Sequence, residues 1–326
     1  MRHTETHYGT DDPTNPTESR VAEWKATLKR TSQKVVRDRV SMSAGSLAYH
    51  WFLALFPAVI AVLGGLSLVR ASTHLVNQIT HAIEKGLPLG VGTVFTGAVK
   101  AATTRESGSA VAVVIGVSVA IWSASGGMSA LQQALDVAYE VPVDRKFLAR
   151  RIYSIPLMAA TLVLGGIGAA LVILGAPIGA GIEGHVALHG VAFSVIWTIV
   201  RWSVTLIAIT GLFSIFYFLG PNRESPRWQW VSVGGAFATG LFLAASMGFS
   251  FYITRFGSYG KTYGTFAGVA ILIFWLYLTG LAVLVGGELN AQLEHEARAQ
   301  GAHPATRSSD RASAALLQPD PSLPGG

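Results

Sequence analysis

Six apolar runs constrain this chain more than any other feature. They cover residues 43–69, 110–130, 152–176, 190–219, 229–253 and 263–286. Eighteen or more apolar residues in succession, wound as an α-helix, are long enough to cross the hydrocarbon layer of a bilayer. A membrane β-barrel would need alternating segments of about ten residues, and these runs do not alternate. In lipid each backbone amide must find its partner within its own segment, which leaves the helix. The expected fold is all-α: a polytopic membrane protein with a bundle of about six transmembrane helices in residues 43–294. Composition agrees, since only 13% of residues are charged, against about 25% in soluble domains.

The flanks differ. Residues 1–20 and 295–326 are polar, small and proline-bearing, a composition that predicts disordered tails. The first forty residues hold no apolar core of a signal peptide, so the first span is expected to direct insertion. Between them, residues 21–42 place Val21, Trp24, Leu28 and Val35 on one face of an otherwise basic helix. Such a helix either lies on anionic headgroups or is a solvated lead into the first span. The loop between spans one and two, "STHLVNQITHAIEKGLP" with "VGTVFTGAVKAATT" after it, carries an apolar stripe through Leu75, Val76, Ile79, Ala82 and Ile83. It is expected to form a small helical layer on the outer side. The glycine-rich "GSYGKTYG" is expected to be a tight outer turn.

Orientation follows from the cations. Seventeen of the 24 lysines and arginines lie in residues 1–42, the loops at 131–151 and 220–228, and the C-terminal tail. The inside-positive rule puts that side, and so both termini, in the cytoplasm. The same rule accounts for the basic balance of the chain, so no nucleic-acid partner is implied. The expected partner is the bilayer, with anionic lipid foremost. The chain has no cysteine, hence no disulfide, thiolate metal site or cysteine nucleophile. His185 and His189 share a plausible face near Glu183, but without an HExxH pattern; no metal and no cofactor are expected.

Few polar residues fall in or beside the spans. His50 lies in the first, Ser123 and Ser125 in the second, and Arg201 in the fourth. Asp136 follows the second, and Glu288 closes the sixth, where it would stay hydrated or meet Arg150 or Arg151 at a wet interface. Pro57 and Pro156 should kink their helices and free carbonyls. Arg201 is the single charge of the thirty-residue run 190–219, about 17 Å along its helix, with no carboxylate at its own depth. It either faces the bundle interior or a wet cavity, or snorkels to the outer headgroups. A guanidinium suits a phosphate or carboxylate, which makes Arg201, with His50 as a neighbour, the candidate binding group for an anionic ligand. Glu288, Asp136, Ser123, Ser125 and Pro57 form the candidate structural set.

Several stretches resemble the YihY/virulence factor BrkB family of bacterial inner-membrane proteins. They are "AGSLAYHWFLALFP", "IWSASGGMSALQQALDVAY" followed by Arg150 and Arg151, "VRWSV", "FYFLGPNR", and the long "GSYGKTYGTFAGVAILIFWLYLTGLAVLVGGELNAQLE" at 257–294. The family usually has Asn where this chain has Asp136 and often Tyr where it has His50. The resemblance implies a six-span protein of the inner membrane, of unsettled activity, linked to serum resistance and envelope lipid handling. Its former ribonuclease label fits poorly, because RNA hydrolysis needs paired acids and bases or a metal cluster. Two readings stand: a transporter or flippase of an anionic, lipid-like envelope substrate, and a non-transporting scaffold or regulator of envelope assembly. An intramembrane enzyme is disfavoured by the missing acid–base pairs.

Overall fold

The structure, a computed structural model, describes residues 16–68, 110–185, 190–223, 228–256 and 265–316. The loop at 70–109, His189 and the "GSYGKTYG" turn lie outside the described residues. Eight helices are present among those described. They are α1 (Pro16–Arg37), α2 (Val40–Leu68), α3 (Ala110–Ala138), α4 (Phe147–Ala160), α5 (Gly166–Glu183), α6 (Val191–Leu219), α7 (Trp228–Phe256) and α8 (Thr265–Leu316). No strand occurs among the described residues.

Over its described residues each apolar run is helical. Four stretches, 147–172, 191–219, 233–255 and 267–298, are long and apolar enough to cross a membrane. Helices α2 and α3 have 29 residues each, about 43 Å at 1.5 Å per residue. The third run is divided. Pro156 does not break α4, but a five-residue π-helical turn, Thr161–Gly165, joins α4 to α5. A proline acts on the carbonyl four residues back, here Ile152, so the π turn lies beyond its reach; a wide turn lets the helix resume in a new register. Helix α2 likewise runs unbroken through Pro57. The ends differ from expectation: α1 begins at Pro16, and α8 continues over 297–316, where disorder was expected. Seven of the residues in 297–316 are alanines, the strongest helix formers, yet the helix also runs through Gly301 and Pro304, which local propensity disfavours.

The apolar core gathers toward one end. Val40, Ala44 and Leu47 of α2 meet Leu131 and Leu135 of α3, Leu157 of α4, Phe213, Phe216 and Tyr217 of α6, Ala238 of α7, and Val283 and Leu284 of α8. Small residues let these helices approach closely. A side chain on Gly286 would meet the Tyr217 hydroxyl and Ala238, and one on Gly234 would meet Asn290. Away from this end, Val195, Ile199, Ile207, Met247 and Phe251 are exposed, as lipid-facing residues should be.

Candidate functional site

The end of the bundle that holds the core also holds its buried polar groups. Two helices stop there on charged residues in left-handed backbone, Arg39 (φ 50°) after α1 and Glu140 (φ 52°) after α3. Glycine normally takes that position, because Cβ makes it costly by about 1–2 kcal/mol. At Glu140 the turn is closed by Glu140 N to Val137 O (3.0 Å) and Val141 N to Asp136 O (2.9 Å). The Glu140 carboxylate accepts from Arg37 (2.6 Å) and pairs with Lys34 Nζ (3.2 Å). These contacts, Arg37 foremost, hold its carboxyl below the usual range.

Arg145 closes the next corner. Its guanidinium donates to Gln132 Oε1 (2.9 Å) and to the carbonyls of Gly220 (2.6 Å) and Pro221 (3.1 Å), the orphan acceptors at the end of α6. Burial works against its charge. Gln132 passes the network to Ser154 Oγ (2.8 Å), which sits 3.1 Å from Ser129 Oγ. Asp136 is buried, and its Oδ1 accepts from the Asn222 amide (2.7 Å), fastening the α6–α7 connection to α3. Its Oδ2 has no partner, and burial raises its carboxyl above the ordinary value. Arg223 pairs with Glu294 and lies over the Tyr139 ring at 4.4 Å, while Asn290 donates to Tyr139 Oη (2.6 Å).

Glu288 corrects the expectation made for it. It is fully buried, and its counter-charge is Lys34 of α1 at 3.6 Å, not Arg150 or Arg151. Neither of its oxygens has a hydrogen-bond partner. Nothing local sets Lys34 apart from the neighbouring lysines of α1 except that it lies three residues from Thr31 and seven from Thr27, on one helical face. Those two residues and Lys34 form the buried face of α1, while Trp24 and Leu28 are exposed.

Beside this end lies a cavity of about 400 Å³ between α2, α3 and α4. Its polar lining is Ser43, Ser46 and His50 from α2, Ser129 and Gln133 from α3, and Arg150 and Arg151 from the first turns of α4. Phe147 borders it and is exposed, as are Tyr49, Trp122 and Leu148 nearby in sequence. Arg151 donates to Ser125 Oγ (2.7 Å) and to Trp122 O (2.8 Å), with its guanidinium 4.6 Å over the Trp122 ring. Arg150 meets exposed Asp144 at 3.2 Å. The buried Nε atoms of both arginines have no partner. His50 Nδ1 shares a hydrogen with Ser46 O (2.8 Å). No side chain caps the first turn of α4, so its amides add positive potential there.

Arg201 stands elsewhere. It is half-buried where α6 meets α5, its stem against Gly175 and its guanidinium 5.6 Å from the centre of the Trp202 ring. Trp197 Nε1 donates to Gly175 O (2.7 Å) alongside. His50, expected as its neighbour, lines the cavity at the other end instead. Glu288 lies far from Arg201. Tyr217 binds Val283 O (2.6 Å), and sixteen residues of α6, about 24 Å, separate Tyr217 from Arg201. Glu183 is occupied by the Gly190 amide (2.6 Å). Ser123 is half-buried on α3, and the side chain of Pro57 lies outside the described residues. Among the described residues no cluster of metal ligands forms.

Residues 31–311 match the virulence factor BrkB family. The chain is 30% identical to the ribonuclease-like protein YfkH of Bacillus subtilis, over 82% of this chain and 94% of that one. It is 28% identical to a UPF0761 membrane protein of Methylibium petroleiphilum, over 82% of this chain and 62% of the relative. To a UPF0761 membrane protein of Vibrio campbellii it is also 28% identical, over 80% of each. No solved structure matches.

Proposed function

We propose, for a chain that belongs to the virulence factor BrkB family of membrane proteins, that it is a transporter of an anionic, lipid-like envelope substrate. One observation carries this reading. A cavity of about 400 Å³ brings Arg150, Arg151 and His50 together beside exposed Phe147. Two guanidiniums suit a phosphate, and the adjoining aromatic surface suits the chain that follows a headgroup. Asp144 offsets part of the charge on Arg150, which leaves the site cationic through Arg151.

By the distribution of its cations, the α1 end faces the cytoplasm of a bacterial inner membrane, so the cavity opens at the level of the inner headgroups. Arg201, about 15 Å along α6 from Val191, is a further cation for the substrate to meet on its way out. The reading is non-enzymatic: the buried carboxylates serve packing, Asp136 with Asn222, Glu288 with Lys34, and Glu294 with Arg223 and Arg298.

The test uses purified full-length protein in nanodiscs containing phosphatidylglycerol or phosphatidylcholine, with bound lipid counted by native mass spectrometry. Retention of phosphatidylglycerol over phosphatidylcholine, lost in Arg150→Gln/Arg151→Gln, is the expected result. Equal retention of both lipids, or retention unchanged in the double variant, overturns the site. Binding without flux across proteoliposomes would favour the scaffold reading.

A further inference from the structure

We propose that α1 is a charge-held strap: Lys34 plugs a seat made by Glu288, Glu140 and the last carbonyl of α3, and the plug holds the α3–α4 wall of the cavity in place.

The attachment of α1 is unusual for a helix beside an apolar core. Its apolar side chains Trp24, Leu28 and Val36 are exposed. Val35 packs partly against the core, but among the described residues of α1 the buried ones are Thr27, Thr31 and Lys34. The contacts that tie α1 down are polar. Thr27 Oγ1 donates to Glu296 (3.0 Å), Arg30 pairs with Glu296 (2.9 Å), and Arg37 donates to Glu140 (2.6 Å). At the centre, Lys34 Nζ donates to Ala138 O (3.0 Å) and stands 3.2 Å from Glu140 and 3.6 Å from Glu288. Asp38, itself 2.9 Å from Arg37, completes the charges around this seat.

Lys34 matters to both sides. Removing one partner of a buried ion pair leaves the other uncompensated, and Glu288, with neither oxygen hydrogen-bonded, has no other cation within 4 Å among the described residues. At α3, a cation on the terminal carbonyls is favoured by the helix dipole. The same lysine helps to hold Glu140 in its left-handed position. The line of α3 residues that walls the cavity, through Ala130, Ala134 and Val137, ends one residue before Ala138. The turn that begins at Glu140 leads to Phe147, Arg150 and Arg151 on the facing wall. Unseating α1 therefore frees the end of α3 and the turn that sets the spacing of the two walls.

The chain has no cysteine, so single introduced thiols report cleanly. Thr31→Cys lies under the strap, Ala134→Cys on the cavity wall and Leu284→Cys in the core. Purified full-length protein in nanodiscs is labelled with a membrane-impermeant maleimide, with and without Glu288→Gln or Lys34→Met. Either charge removal should speed labelling at Thr31→Cys by about tenfold or more and raise it at Ala134→Cys, with Leu284→Cys still protected. Unchanged labelling at Thr31→Cys means the strap is not held by charge. A rise there with Ala134→Cys unchanged means it does not govern the wall. Labelling of Leu284→Cys with the others means general unfolding, and also overturns the proposal. If Lys34→Met does not accumulate, Glu288→Gln alone decides. Labelling needs no substrate, so its outcome is independent of the transport reading.

Discussion

Gly286→Ala adds one methyl group where α8 crosses α6 and α7 closely. Its Cβ would lie 2.5 Å from Tyr217 Oη, 2.6 Å from Ala238 Cβ and 3.1 Å from Gly234 O. The tyrosine cannot swing away, because it is fully buried and donates to Val283 O at 2.6 Å. Overpacking of this kind costs about 1–3 kcal/mol. Displacing the hydroxyl leaves buried polar atoms unpaired, about 1–3 kcal/mol more, while alanine returns about 1 kcal/mol of helix propensity. The net is a loss of about 3 kcal/mol, or about 6–12 °C in midpoint if the scaling of soluble domains of similar size holds. The assay is thermal unfolding of purified protein in detergent, followed by near-ultraviolet circular dichroism. Tyr217→Phe removes the clashing oxygen at the expense of one hydrogen bond. The double variant Gly286→Ala/Tyr217→Phe should therefore recover at least a third of the Gly286→Ala loss, a coupling that two independent sites would not show. A Gly286→Ala midpoint at or above that of the unmodified protein, or strictly additive losses in the double variant, would refute the packing described for α6, α7 and α8.

Other expectations concern Arg145, Asp136 and Arg201. Arg145→Met strips donors from Gly220 O, Pro221 O and Gln132 Oε1 and should cost about 2–4 kcal/mol, read as a lower unfolding midpoint; Arg145→Lys should recover only part, since a single ammonium cannot span all three acceptors. Asp136 sits outside the expected span, and burial raises its carboxyl above 3.8, so the folded state loses stability as pH rises from 3.8 through the folded value. Asp136→Asn keeps an acceptor for the Asn222 amide and should abolish that loss, measured as the difference in midpoint between pH 4 and pH 7. Arg201→Met should leave membrane levels unchanged and unfolding within about 1 kcal/mol, because methionine fills the space over Gly175, yet it should lower flux of phosphatidylglycerol in proteoliposomes about tenfold; full flux would restrict Arg201 to anchoring.

The fold was legible because its main determinant is local. Apolar length alone decides whether a segment can cross a bilayer; each of the six runs is helical over its described residues, and four helices are long and apolar enough to cross. Some boundaries moved. The π turn at Thr161–Gly165 follows Pro156 within one and a half turns, and the helix through 297–316 combines seven alanines with Gly301 and Pro304. Arg201 was legible too, since a lone charge in an apolar run stands out whatever surrounds it.

Partnership was not legible. Lys34 and Glu288 lie 254 residues apart, and Arg145 and Gly220 lie 75 apart. Each sits in a segment whose local sequence permits several helical faces to turn inward. Which face does so depends on the shapes of the neighbouring helices, and at this end the small residues Gly234, Gly235 and Gly286 let α6, α7 and α8 close up. That closure buries Glu288 at a position where hydropathy alone reads a hydrated interface. It also leaves the polar face of α1, not the apolar one, as the face that packs inward. The same packing sends His50 to Arg150 and Arg151 rather than to Arg201. Sequence determined that these groups exist and that a bilayer surrounds them; only the tertiary structure decided which charge answers which, because a pairing energy depends on distance through the fold and not along the chain.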